Sequence, residues 1–153
     1  MFTTIVVGTD GTESASKAVL AAADIAAANQ EAVLHIVSVQ KPMAASAIAS
    51  AEMAVAAPAA AELEWEEEAR KSLEGALAEA ARRAGRPGLN VETHARFGSP
   101  AEVLCDFAAH LGADLIVVGN RGMQGGRRFL GSVPNTVSHH APCSVLIVDT
   151  QHD

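Results

Sequence analysis

Short apolar runs, separated by longer stretches of mixed character, organise this chain. TTIVVG opens it and stops at Gly8. AVLHIVSV (32–39), ADLIVVG (113–119) and CSVLIV (143–148) are rich in Val and Ile, and LNVETHARF (89–97) alternates apolar with polar positions. β-Branched runs of this length predict β-strands. The nearly continuous ADLIVVG predicts a parallel strand buried on both faces.

The intervening segments predict helices. Segment 12–29 has Thr12 or Ser14 to cap it and Ala18, Leu20 and Ile25 on an apolar face. Segment 62–85 carries its acidic residues early and Arg82 and Arg83 late, matching the helix dipole, with Gly85 ending it and Pro87 preventing continuation. In SPAE (99–102), Ser99 is an N-cap, Pro100 stands at the first helical position and Glu102 completes a capping box, so a helix runs to about Leu111. SVPNTVSHH (132–140) predicts a short helix. The Ala-rich segment 43–61 divides between loop and helix, either as a flap beside a ligand or as an extension of the helix after it. Strand and helix alternate five times. That predicts an α/β protein, a parallel sheet with helices on both faces joined by right-handed crossovers.

Composition narrows this picture. At 153 residues, with neither an internal repeat nor a linker, residues 1–153 form one domain. Aromatic residues make up 3%, so Val, Ile, Leu and Ala must build the core. A net charge of −7 argues against nucleic acid or an anionic membrane surface as partner. The N-terminus lacks the basic flank of a signal peptide, and segment 43–61 carries Glu52 and Pro58, so neither predicts membrane insertion. Cys105 and Cys143 lack metal-ligand spacing. Reduced thiols in the cytoplasm are the expectation.

Two loops follow strands at the sheet end where open α/β proteins bind ligands. GTDGTE (8–13), after the first strand, bears Asp10 and Glu13, and two carboxylates there would repel a pyrophosphate. GNRGMQGGRRFLGS (119–132), after the fourth, has the opposite character, with five glycines and three arginines. Its glycines let backbone N–H groups approach an anion closely, and Arg121, Arg127 and Arg128 add positive charge. Gly131-Ser132-Val133 then enters a helix whose free N–H groups and dipole favour phosphate. Pro134 lacks an N–H but sits in the first turn, where proline is tolerated. Asp10 is placed for a ribose hydroxyl, a base amine or a metal. The alternative for the glycine-rich stretch is a surface loop with solvated arginines.

GNRGMQGGRRFLGSVPNTVSHHAPCSVLIV, with IVVGTDG in the first strand and LHIVSV in the second, resembles the universal stress protein family over essentially the whole chain. The family's ATP-binding branch carries G-x2-G-x9-G-[ST] after its fourth strand. Gly119-x2-Gly122 and Gly131-Ser132 match here, with eight residues rather than nine between Gly122 and Gly131. The resemblance implies a single open, doubly wound, five-stranded parallel sheet of order 3-2-1-4-5. It implies that Asp10 contacts the nucleoside with Thr9 beside it, and that Val39 packs near adenine. Gly119, Arg121, Gly122, Gly131 and Ser132 would hold ribose and phosphates, with Val133 contributing backbone. The implied ligand is ATP or another adenine nucleotide, with or without Mg2+. It also implies a homodimer through strand 143–148, whose apolar edge would otherwise be open.

No catalytic residue is assigned, since no nucleophile–base spacing and no P-loop lysine is present. A binding or regulatory protein with at most slow hydrolysis is therefore expected. The alternatives are a nucleotide-hydrolysing or adenylate-forming enzyme on this fold, and a ligand-free dimeric interaction protein. No metal ligand is assigned either. The adjacent His139 and His140 diverge by about 100° on a helix, and His35 and His94 are taken as outer-face or satisfied core residues of strands. Cys105 is taken as a small core hydrophobe, and EWEEE (64–68) as a solvated face with a partly buried Trp65.

Overall fold

The computed structural model describes residues 1–42, 58–120 and 131–151. The strands are β1 (Thr4–Thr9), β2 (Val33–Gln40), β3 (Asn90–Phe97), β4 (Leu115–Gly119) and β5 (Ser144–Val148). The helices are α1 (Glu13–Ala27), α2 (Pro58–Ala84), α3 (Pro100–Leu111) and α4 (Ser132–His140). The five strands form one parallel sheet in the order β3-β2-β1-β4-β5, as the resemblance implies.

Each inner strand feeds two cores. Ile5, Val7, Leu34, Ile36, Leu115 and Val117 face α1 and α2. Val6, Val37, Ile116 and Val118 face Leu104, Cys105 and Ala108 of α3 and Val137 of α4. Burial on both faces is why these strands read as nearly continuous apolar runs, with His35 and Ser38 of β2 as buried polar exceptions. On α1 the core face is Ala18, Val19, Ala22, Ala23 and Ala26, all fully buried. Their small side chains let the helix lie close to the sheet. Val19 goes into the core where Leu20 was expected, and Leu20 is only half-buried.

Two helix starts differ from expectation. Helix α2 begins at Pro58, four residues before Glu62, so its first turn carries no acidic residue. The dipole benefit at that end is lost, because it fades beyond the first turn. Proline at the first position lacks only an N–H that would have no helical partner. At α3, Ser99 is the N-cap with extended backbone, but its side chain makes no cap hydrogen bond, so the expected capping box does not form. Its carbonyl still accepts from Val103 N at 2.9 Å. Thr12 is a working cap, its Oγ1 accepting from Ala15 N at 3.2 Å.

Crossovers through α1 and α2 run on one face, and those through α3 and α4 on the other. The chain reverses its winding between β1 and β4, and the carboxyl ends of those strands flank the crevice this reversal creates. At the opposite, amino end, Asp114 ties β1 to β4. It accepts from Thr3 N at 2.8 Å, Thr3 Oγ1 at 2.9 Å and Thr4 N at 3.2 Å. Among the described residues no helix is long and apolar enough to cross a membrane. Residues 43–57, with most of the expected flap, lie outside the described residues.

Candidate functional site

A cavity of about 420 Å³ opens at the carboxyl ends of β1 and β4. That is within the size range of pockets that take a small-molecule ligand. Of the residues expected at the site, Thr9, Asp10, Val39, Gly119, Gly131, Ser132 and Val133 all line it. Arg121 and Gly122 lie outside the described residues.

The β1 side is a tightly hydrogen-bonded turn. Thr9 Oγ1 accepts from Gly11 N at 3.2 Å. Asp10 Oδ1 accepts from Thr12 N at 3.0 Å and from Thr12 Oγ1 at 2.6 Å, while Thr12 caps α1. Gly11 has φ +79°, and a Cβ there would stand 2.9 Å from Ala76 Cβ. Only glycine serves on both counts. Glu13, in the first turn of α1, pairs with Arg83 Nη1 at 2.9 Å. Arg82 and Arg83 both bind Glu79 and hold its carboxyl down to about 2. The N-terminus of α1 is thus capped and carries carboxylates.

Helix α4 presents the opposite end chemistry. Its N-cap is Gly131, which supplies no side-chain cap hydrogen bond, and Ser132 and Val133 follow at the cavity wall. A helix N-terminus with no side-chain cap among the described residues offers backbone N–H groups and the positive end of a dipole to an anion. The buried Pro134 also lines the wall. Between the two helix ends, Val37, Val39, Leu104 and Val118 form an apolar floor.

Sequence reasoning missed Thr150, Leu104, Pro100 and Ser14, which also line the cavity. Pro100 and Leu104 arrive on the crossover from β3 to β4, and no local pattern marks them. Thr150 is held by Asn120, whose Oδ1 accepts from Thr150 N at 3.0 Å and from Thr150 Oγ1 at 2.9 Å. Asn120 Nδ2 donates to Asp149 Oδ1 at 3.0 Å. This clamp presses Thr150 onto Gly119, where a Cβ would stand 2.9 Å from Thr150 Cγ2. Packing against Thr150 is therefore one reason for glycine at 119, separate from any approach to phosphate.

The sequence profile of the universal stress protein family matches residues 1–149. The chain belongs to the universal stress protein family. Universal stress protein Rv1636 of Mycobacterium tuberculosis (strain ATCC 25618 / H37Rv) is 36% identical over 151 residues, 97% of each chain. A universal stress protein crystallised in complex with cAMP superposes with a TM-score of 0.70 at 34% identity, covering 98% of each chain. Universal stress protein UspA from Lactobacillus plantarum gives 0.68 at 26% identity, covering 96% of this chain and 97% of its own.

Other candidate groups fall into place around this universal stress fold. Cys105 is buried in the α3 core, and burial raises the thiol pKa of both Cys105 and Cys143, keeping them protonated. Trp65 is half-buried while Glu64, Glu66, Glu67 and Glu68 are exposed. His139 and His140 are both exposed at the end of α4. His35 is buried and His94 half-buried, and they face each other across β2 and β3. Burial lowers both imidazole pKa values, partly opposed by Glu92, and for His94 the neighbouring His35 and Arg96 lower it further.

Proposed function

We propose that this protein binds an adenine nucleotide, ATP foremost, in the cavity between β1 and β4, and that it acts as a binding and regulatory protein. The observation that carries this is the contrast between the two helix ends at one apolar cavity. Adenine packs on the floor at Val39. Asp10 accepts from the ribose hydroxyls, and the phosphates lie at the N-terminus of α4, on the Ser132 hydroxyl and the Ser132 and Val133 N–H groups. Arg121, Arg127 and Arg128, in the segment that leads into α4, supply the charge that a polyphosphate needs. The glycine spacing of the ATP-binding branch, one residue short, points the same way.

A second ligand has its own support. The relative in complex with cAMP shares 34% identity over 98% of this chain, so cAMP is the competing nucleotide. Calorimetric titration with ATP, ATP with magnesium, AMP and cAMP ranks them. The proposal expects ATP to bind, and Ser132→Ala to weaken it by about 1–2 kcal/mol, as for one hydrogen bond to a charged group. Tighter binding of cAMP than of ATP would make this a cyclic-nucleotide protein. Failure of all four to bind would leave an interaction protein. Rapid ATP turnover by the purified chain would make it an enzyme.

β5 lies at the sheet edge and pairs only with β4 among the described residues. Its Val145, Leu146, Ile147 and Val148 are half-buried. A second copy pairing along this edge would satisfy its open backbone groups and cover these side chains.

A further inference from the structure

At the sheet edge opposite β5, two imidazoles and a carboxylate converge. His35 on β2 stands directly across from Glu92 on β3, and His94, two residues further along β3, shares the same face. His35 Nδ1 lies 3.1 Å from His94 Nε2. One Glu92 oxygen, Oε2, lies 3.5 Å from His35 Nδ1 and 3.8 Å from His94 Nε2. Zinc bound at about 2.0–2.2 Å by nitrogen and oxygen in a tetrahedron sets its ligand atoms about 3.3–3.5 Å apart. The sides of the triangle, 3.1, 3.5 and 3.8 Å, bracket that spacing. Among the described residues it is the one such cluster of three potential ligands.

We propose that His35, Glu92 and His94 form a binding site for a divalent transition-metal ion, zinc foremost, with a fourth position open to water. A hydrogen bond between the two imidazoles accounts for their 3.1 Å separation but not for the carboxylate. At 3.5 and 3.8 Å, Glu92 is poorly placed to hydrogen-bond to either ring. A shared cation would use all three groups at once. Two imidazoles and one carboxylate are a ligand set that suits zinc and its neighbours, whereas calcium and magnesium take all-oxygen sets.

The triad is held before any ion arrives. The β2–β3 ladder sets its backbone. Phe107 of α3 packs edge-on to His35, with centroids 6.1 Å apart, and tilted to His94 at 4.6 Å. These contacts restrict both ring planes. Solvent reaches the cluster through Glu92, whose side chain is 51% exposed, and through His94 at 19%. The opposing charge is Arg96, whose guanidinium lies 5.2 Å from the Phe107 centroid. It repels a cation, and the Glu92 carboxylate offsets it. Val37 of the cavity floor stands directly across from His94, so the two sites are neighbours, but none of the three residues lines the cavity.

Titrating the intact chain with zinc chloride alone tests this. Calorimetry should give one zinc per chain with micromolar affinity or tighter. His94→Ala should weaken it about a hundredfold or more, and Glu92→Gln about tenfold. Both positions are partly exposed, so circular dichroism should show both variants folded. His139→Ala/His140→Ala, which removes the exposed histidine pair, should leave the affinity unchanged. Cobalt(II) should give visible absorption without a thiolate charge-transfer band. No zinc binding by the unsubstituted chain would overturn the proposal. So would binding that His94→Ala leaves intact, or a thiolate band placing the metal on Cys105 or Cys143.

Discussion

Gly119→Ala asks why glycine occupies the end of β4. Gly119 does not have positive φ, so alanine meets no backbone strain there. The added Cβ would instead stand 2.9 Å from Thr150 Cγ2, against a carbon–carbon optimum of about 3.5–4.0 Å. Ala18 Cβ and Ser14 O, each 4.0 Å away, limit retreat in other directions. Thr150 cannot simply swing aside, because Asn120 holds both its N–H and its hydroxyl, and each such bond contributes about 0.5–1.5 kcal/mol. Overpacking of this kind costs about 1–3 kcal/mol. With a urea slope of about 2 kcal/mol/M, a loss of about 2 kcal/mol lowers the unfolding midpoint by about 1 M. Thr150→Ser removes the clashing methyl, keeps the hydroxyl and costs about 0.8 kcal/mol by itself. The double variant should lose only about 1 kcal/mol, well short of the sum, because its new Cβ fills the space the methyl leaves. Additivity within about 0.5 kcal/mol would refute the packing explanation. Titrating the same proteins with ATP separates the two roles of the glycine. Packing alone predicts that affinity returns with Thr150→Ser, while close approach of phosphate predicts that it stays lost.

Three further expectations follow from the same geometry. Asp10→Ala should weaken ATP if the carboxylate accepts from ribose, by about 1.5–3 kcal/mol for a hydrogen bond to a charged group; calorimetry showing tighter binding would mean that Asp10 only repels phosphate. Burial tends to raise the Asp114 pKa, but the hydrogen bonds from Thr3 and Thr4 outweigh it and hold the carboxyl below its ordinary range. Its contribution to stability is therefore complete above about pH 4 and disappears as pH falls through the lowered folded value. Asp114→Asn should cost about 1–2 kcal/mol at pH 7 and flatten the acid limb of the stability profile, and an unchanged limb would assign that limb to other carboxylates. Sedimentation should show a dimer at micromolar concentration that Ile147→Lys converts to monomer, and a monomer before substitution would remove β5 as a pairing edge.

Much of this architecture is written in local patterns. Val and Ile runs mark the inner strands because burial on both faces leaves few polar positions, His35 and Ser38 of β2 among them. Thr12 marks the start of α1, and Gly131-Ser132 the open start of α4, because helix ends need particular residues within one turn. Strand order came from the family resemblance, and the charges of the two loops already set anion against carboxylate. Tertiary structure decided the rest. Whether Ser99 caps with its side chain, and whether Val19 or Leu20 enters the core, depend on how a helix is seated on the sheet. The clamp of Thr150 on Gly119 joins residues that meet only when β4 and β5 pair. The His35–Glu92–His94 cluster depends on parallel register, since a slip of one residue between β2 and β3 would send Glu92 and His94 to the opposite face from His35. Propensity acts over a few neighbours along the chain, whereas register and crossover bring together residues that no local pattern relates.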